Sequence, residues 1–358
     1  MTSFPFKQRC VELKRLFLQR KASWYFVHDM YELYYLTGVF EEEAYGLFDL
    51  QQGKMFVLCD ARLSGGAREE IQNGEVVEYK ELIETLKGFG VQEVSLSKDI
   101  SVRMKDRLKA HFSLQMMDVS LVGLLRECKD TSEIEVIQRA SILGDDCFAF
   151  IIKKLQLGVT EKQLAWEVEK YFREHGAEAL SFPPIIAFGD HTSIPHHKVS
   201  DRELTVNTPV LIDMGCIVDH YCSDMTRMVW FGDTVDEEFQ KDFKIVLQAL
   251  KIGYESFQSG AFGKEVDFAV RDYMNTEGVA ELFTHSLGHG VGLEVHDSGK
   301  LSSKSDTVVE AGFVSSIEPG LYREGKWGIR LEDLVVITSE GKKMLTKSPR
   351  GLAVISPK

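Results

Sequence analysis

Apolar residues recur every three to four positions across residues 131–155 and again across 160–175, which predicts two successive helices, and strand-rich sequence follows them. The order then repeats. Helices are expected over 236–257 and 264–276, ahead of a second strand-rich stretch. Moving residues 137–176 forward by 102 positions aligns Gln138 with Gln240, Gln156 with Gln258, Gly158 with Gly260, Lys162 with Lys264, Val168 with Val270, Tyr171 with Tyr273 and Gly176 with Gly278. Seven matches are weak by number, but two glycines bracket each second helix in the same register. We read a duplicated helix–helix–strands unit. A site in such a core lies between the halves and draws residues from both.

Upstream the pattern alternates between helix and strand. Residues 7–19 form an amphipathic helix and 24–27 a short strand, after which Asp29 caps a helix that stops at Gly38. Segments 46–50 and 55–59 flank Gln51-Gln52-Gly53-Lys54 as a hairpin, and helices are expected over 62–72, 82–87 and 102–110. No ligand cluster falls here. Residues 1–125 read as an α/β accessory domain that shapes a cleft or an oligomer contact, ahead of a larger domain at 126–358.

Charge sharpens this division. The chain of 358 residues carries 42 Lys and Arg against 55 Asp and Glu, a net charge of -13. Residues 1–125 hold 16 basic against 18 acidic side chains, so most of the excess acid lies in the second part. Such a balance, without a basic patch, argues against a nucleic-acid partner. The amino-terminal stretch has no apolar signal core and no run approaches a membrane span, so no membrane partner and a soluble, cytoplasmic protein are expected. Six cysteines without a C-x-x-C pair read as reduced thiols. Cys216 and Cys222 fall near the candidate chemistry, but small, half-buried strand residues are the better reading.

Seven of the ten histidines fall between His191 and His296. In VLIDMGCIVDHYCSDMTRMVWFG two apolar runs flank a polar turn. A hairpin centred between Val218 and Asp219 sets Asp213 opposite Asp224 on one face. Two carboxylates about 4 Å apart repel by roughly 4 kcal/mol at an effective dielectric near 20, so one is protonated or a cation lies between them. The alternative is a slipped register that turns both aspartates to solvent.

HSLGHGVGLEVHD spaces His285, His289 and His296 by four and seven, yet Ser286 stands where a zincin needs glutamate, and three glycines argue against a helix. An extended glycine-rich segment instead lets backbone and imidazoles approach a ligand. Structural histidines are the competing reading. In SSIEPGLYREGKWGIRLEDLVVI, Glu318 precedes Pro319 at the mouth of a turn completed by Gly320. Arg330 and Glu332 lie two apart on one strand and so share a face, unless they are only a surface ion pair. Four carboxylates and one imidazole are oxygen-rich for zinc alone and suit two divalent ions such as manganese or cobalt.

Together these segments resemble the pita-bread metallopeptidases, in the proline-specific branch of aminopeptidase P and prolidase. YYLTG at 34–38 is similar to a creatinase-type amino-terminal domain, and LLRECKDTSEIEVIQRA to the linker and first helix. IDMG, SDMTR, GHGVGL, EPG and RLED stand in family order and spacing, and Tyr221 and FPPIIAFGD agree with the pattern. The resemblance implies an α+β fold, a pita-bread catalytic domain with an internal pseudo-two-fold repeat behind a smaller α/β creatinase-type domain. It implies that Asp213 binds the first metal, that Asp224 and Glu332 bridge both, and that His289 and Glu318 complete the second. It makes Glu318 the catalytic glutamate, His196, His285 and His296 the substrate-facing histidines, and Arg330 the site arginine. The cofactor is then two divalent ions, Mn2+ first, with Co2+, Zn2+ or Fe2+ as alternatives. The activity implied is that of an Xaa-Pro aminopeptidase acting through an ion-bridging hydroxide on peptides with proline second. A homodimer follows by analogy. The alternatives are a prolidase restricted to dipeptides and a non-catalytic peptide- or protein-binding module, which would be expected to lose ligands. A methionine aminopeptidase would lack the first domain. One departure, SDMTRM in place of a second threonine after the arginine, bears on the packing of Met228 behind Asp224.

Overall fold

The computed structural model describes residues 4–18 and 22–357, which divide into two compact units, Met1–Arg126 and Glu127–Lys358. The first unit is built on a six-stranded mixed sheet. Its order is Glu75–Glu78, Lys54–Cys59, Tyr45–Asp49, Trp24–Val27, Glu93–Ser97 and Ser113–Met117. Asp29 accepts from the Glu32 amide to cap helix Met30–Thr37, and Gly38 ends it at φ +84°. The hairpin forms over Tyr45–Asp49 and Lys54–Cys59. The first helix spans Phe6–Phe17, and its expected end at Gln19 lies outside the described residues. The helix expected over 62–72 is shorter, Ser64–Glu70.

The second unit contains the repeat. Helices Glu161–Glu174 and Gly263–Thr276 have the same length and differ by 102 at both ends. Gly158 and Gly260 take positive φ (+76° and +88°), as do Gly176 and Gly278 (+95° and +72°), so the matched glycines supply the same left-handed turns. The backbone bonds match too. Gly158 donates to the Leu204 carbonyl and Leu204 to that of Val159, while Gly260 donates to Val309 and Val309 to Ala261. The longer helices, Thr131–Ile151 and Glu237–Ser256, precede these turns. The first stops short of residue 155 because a 3-10 turn, Ile152–Lys154, takes over.

Each half has its own apolar core. One gathers Phe148, Ile151, Leu164 and Phe172 against Ile186, Val210 and Val229; the other gathers Phe239, Val246, Val266 and Phe313 against Leu211, Met228 and Trp230. Met228 therefore packs into the second core, opposite Leu211 in the ladder. A four-stranded sheet runs Ala353–Ile355, Met225–Phe231, Thr208–Met214, Ile185–Phe188. A five-stranded sheet runs Asp297–Leu301, Gly288–Gly290, Val314–Ile317, Asp333–Thr338, Gly341–Met344.

Three expectations are corrected. The hairpin turns at Asp219 and His220, both at positive φ, so Asp213 faces Thr226 and not Asp224. Residues able to take positive φ at both central positions set a two-residue turn there. The shift is two residues and keeps Asp224 on the same face as Thr226. Arg330 and Glu332 do not share one strand: Arg330 ends Trp327–Arg330, and Glu332 sits in the link before Asp333–Thr338. Gly320 likewise opens a strand, Gly320–Arg323, instead of completing a turn.

Several glycines permit close backbone approach. A Cβ on Gly288 would lie 2.0 Å from the Ser316 carbonyl oxygen, which no rotamer can relieve. Gly288→Ala should therefore destabilise the protein by about 1–3 kcal/mol, seen as a lower thermal midpoint. An unchanged midpoint would contradict this packing.

Candidate metal centre

All nine candidate side chains line one cavity of about 430 Å³: Asp213, Asp224, His289, Glu318, Glu332, His196, His285, His296 and Arg330. Asp213 lies one residue from the end of Thr208–Met214, Asp224 one residue before Met225–Phe231, and Glu318 one residue after Val314–Ile317. His289 is central in Gly288–Gly290. The Glu332 amide donates to the Thr226 carbonyl at 3.1 Å, and the buried Arg227 guanidinium bonds the carbonyls of Thr226 and Glu332 as well as Asp333. Thus the link carrying Glu332 is fastened to the strand that follows Asp224.

Among the described residues the protein balances only one of these charges directly. Arg330 donates to Asp213 Oδ2 at 2.5 Å, and Thr226 Oγ1 donates to Glu332 Oε2 at 2.7 Å. Asp213 Oδ1, Asp224 Oδ1 and Glu332 Oε1 are buried without a hydrogen-bond partner. Burial, then the charges of Glu332, Asp213 and Glu318, pushes Asp224 well above the carboxylate range. Burial and neighbouring carboxylates do the same to Glu332, and burial pushes Glu318 up to about 8. Burial raises Asp213 also, against the pull of Arg330.

His289 decides what fits here. Burial and His296 lower it to about 4, so the ring is neutral. Its Nδ1 meets the Gly290 carbonyl at 3.1 Å, and a carbonyl only accepts, so Nδ1 carries the proton. The lone pair of Nε2 then points at Glu318 Oε1, 3.3 Å away, and Asp224 Oδ2, 3.7 Å away. A lone pair facing ionised carboxylate oxygens is repulsive unless a proton or a metal cation stands between them. Asp224, His289 and Glu332 each offer an atom within 4.8 Å of the others, a carboxylate–imidazole set that suits divalent metal.

The substrate-side groups form a chain. His285 Nδ1 meets the Ser286 carbonyl at 2.8 Å, so its Nε2 accepts from the Tyr322 hydroxyl at 2.9 Å; that hydroxyl in turn accepts from Arg330 at 3.0 Å. Burial and Arg330 lower His285 to about 4, in keeping with a neutral acceptor. Tyr322 escaped the sequence reading. Its signal was the glycines around it, since a Cβ on Gly320 or Gly328 would collide with its ring. His196 lies in the segment after Ser193 and His296 stacks edge-on to His289 at 4.3 Å. Phe182, Pro183, Ile185, Pro195 and Val295 supply an apolar wall, and Lys198 a cation.

The thiols take no part. Cys216 and Cys222 are fully buried, not half-buried, and burial pushes both up to about 12. Among the described residues no helix is long and apolar enough to cross a membrane.

The profile of metallopeptidase family M24 matches residues 135–339, and that of the creatinase/prolidase N-terminal domain matches 9–128. An uncharacterized peptidase of Staphylococcus aureus (strain bovine RF122 / ET3-1) is 33% identical over 339 residues, 92% of this chain and 95% of the relative. An Xaa-Pro dipeptidase from Bacillus anthracis superposes with a TM-score of 0.92 at 29% identity, covering 98% of this chain and 100% of the other. An X-Pro aminopeptidase from Thermotoga maritima MSB8 gives 0.86 at 29%, covering 96% and 100%.

Without ions, Asp224, Glu318 and Glu332 hold protons more tightly folded than unfolded. Their contribution to stability is thus fully present below the ordinary carboxylate pKa of about 4 and is lost as pH rises, towards about 8 for Glu318. Manganese added to chelator-treated protein should therefore raise the thermal midpoint more at pH 8 than at pH 5.5. At a hundredfold excess over Kd the gain is about 2.7 kcal/mol. Glu332→Gln should shrink it, and a midpoint indifferent to ions would exclude a metal centre.

Proposed function

Since this chain belongs to metallopeptidase family M24, with a pita-bread catalytic fold behind a creatinase-type domain, we propose that it hydrolyses the bond between a first residue and a following proline. In this reading residues 1–125 are the accessory domain and 126–358 the catalytic one. The observation that carries it is the neutral His289, its lone pair turned on two carboxylates beside three orphaned carboxylate oxygens.

Asp213, Asp224, His289, Glu318 and Glu332 would hold two divalent ions, Mn2+ by the oxygen-rich donor set, which supply Lewis acidity and a water activated near neutral pH. Glu318 takes the proton from the attacking water and later delivers it to the proline nitrogen. That nitrogen carries no hydrogen in the substrate, so recognition falls to shape. The apolar wall of Phe182, Pro183, Ile185, Pro195 and Val295 suits a pyrrolidine ring. His285 and Tyr322, backed by Arg330, face the scissile carbonyl, where a turn of the Tyr322 hydroxyl gives a donor to the developing negative charge. His196 and His296 bind the substrate on the other sides of the cavity.

We read the enzyme as an aminopeptidase. A dipeptidase is the second reading, favoured by Lys198, a cavity cation placed to meet a free proline carboxylate, and by likeness to the Bacillus anthracis Xaa-Pro dipeptidase.

The test is a manganese-reconstituted assay on Xaa-Pro dipeptides, Xaa-Pro-Xaa tripeptides and methionyl peptides. Tripeptide cleavage supports the aminopeptidase, dipeptide-only cleavage the prolidase, and cleavage of neither sinks the proposal. Asp224→Asn should abolish turnover and lower ion content. His285→Ala should keep the ions and lose about a hundredfold in kcat; loss of ions would refute its assignment to the carbonyl side.

A further inference from the structure

Two of the histidines that face the cavity, His196 and His285, sit on irregular segments, and each of these two segments is gripped by a buried carboxylate on the second helix of its own half. In the first half this is Glu161, the first residue of Glu161–Glu174, whose side chain is wholly buried. Its Oε1 accepts from the Phe188 amide at 3.0 Å and His191 Nδ1 at 2.8 Å. Its Oε2 accepts from His197 Nε2 at 2.8 Å and from the amide and hydroxyl of Ser200 at 2.9 and 2.7 Å. Burial pushes the carboxyl up, but the donors of Ser200, His197, His191 and Phe188 outweigh it and hold it below the usual range.

Glu161, His191 and His197 resemble a zinc donor set, and their ligand atoms lie within 4.8 Å of one another. The oxygens are already filled by five donors, however, and both rings turn N–H groups towards them. The cluster is a clamp. Between its jaws, His197 and Ser200, lies Lys198, and just before them Pro195 and His196. The Pro195 carbonyl accepts from Arg330 at 3.2 Å, which ties the same segment to the hairpin carrying Tyr322.

The second half solves the same problem with different residues. Asp267 on Gly263–Thr276, its side chain fully buried, accepts from Arg271 Nε at 2.8 Å and from the Leu287 amide at 3.1 Å. Arg271 donates onward to the carbonyls of Phe283 and His285. His285 is thus held on both sides. Under the 102-residue shift Asp267 corresponds to Ala165, one helical turn beyond Glu161 on the same helix face, so the clamp is not a copied residue.

We propose that Glu161 and the Asp267–Arg271 pair are positioning residues: Glu161 sets His196 and Lys198 against bound substrate, and Asp267 with Arg271 sets His285 at the scissile carbonyl. This rests on reading the cavity as a peptide site. Manganese-reconstituted wild type, Glu161→Gln, Glu161→Asp and Asp267→Asn should be compared on Ala-Pro and Ala-Pro-Ala, alongside ion content and amide hydrogen exchange. Glu161→Gln should keep its ions, exchange faster only over 188–200, and raise KM about tenfold with little loss of kcat; Glu161→Asp should recover most of this. Asp267→Asn should exchange faster over 283–287 and lower kcat about tenfold with KM nearly unchanged. Should Glu161→Gln fail to fold, Ser200→Ala removes one donor and should give a milder form of the same KM effect. Unaltered exchange, or altered exchange with unaltered kinetics, overturns the proposal. A wild type inactive on both peptides sinks the peptidase reading instead, and the segment-confined exchange then decides the clamps alone.

Discussion

Four carboxylates share one cavity wall, and the protein balances one of them. Arg330 answers Asp213, while among the described residues Asp224, Glu318 and Glu332 have no ion pair with Lys or Arg. Two such groups at about 4 Å cost roughly 4 kcal/mol even at a dielectric near 20. The elevated proton affinities, the orphaned oxygens and the outward lone pair of His289 are one fact in three forms. Protons satisfy it one carboxyl at a time; divalent ions engage several carboxylates and the lone pair together.

The fold makes this arrangement affordable by placing each ligand where a strand begins, ends or breaks. Backbone amides along Thr208–Met214, Met225–Phe231 and Val314–Ile317 are committed to the ladders, so the residues at their margins inherit fixed positions without needing side-chain packing of their own. Glycine tightens the frame. A Cβ on Gly215 would meet the Ser223 carbonyl oxygen, and one on Gly288 that of Ser316, both at 2.0 Å. These contacts stand beside Asp213 and His289 in the two sheets, and closer backbone approach is what lets donors from separate segments converge.

Much of this was legible in the chain. The repeat shows in two pairs of glycines because a left-handed turn admits few other residues, and the helices show because their apolar faces keep period. Strands Glu75–Glu78, Glu93–Ser97 and Ser113–Met117 went unseen, being short, partly exposed and rich in Glu, Ser and Gln; only parallel pairing with neighbours distant in sequence makes them strands. The hairpin register was misjudged by two because turn chemistry at Asp219 and His220, not the symmetry of the apolar runs, fixes it. Tyr322 and Glu161 were missed for a related reason: their partners come from segments far away in sequence, so that only the glycines near Tyr322 hint at its ring and nothing local marks a helix-start glutamate as special.

The molecule therefore uses two kinds of order around one cavity. Most ion-binding groups sit at the margins of sheet strands, and the link carrying Glu332 is fastened by Arg227. The segments of His196 and His285 are held by single buried carboxylates, whose geometry depends on each donor. A carboxylate has about four acceptor sites, and Glu161 fills them with one amide from before the segment, two imidazoles from within it, and both donors of Ser200 at its end. All five donors converge on this one buried carboxylate, so its removal would strand them together and the segment behaves as a unit. Asp267 has fewer donors but recruits Arg271, whose planar fork spans two carbonyls and so grips His285 from both directions. Among the described residues Glu161 bonds no ion-binding residue, whereas Leu287, held by Asp267, accepts from the Glu318 amide at 2.8 Å, so the second clamp lies one residue from the ion-binding frame.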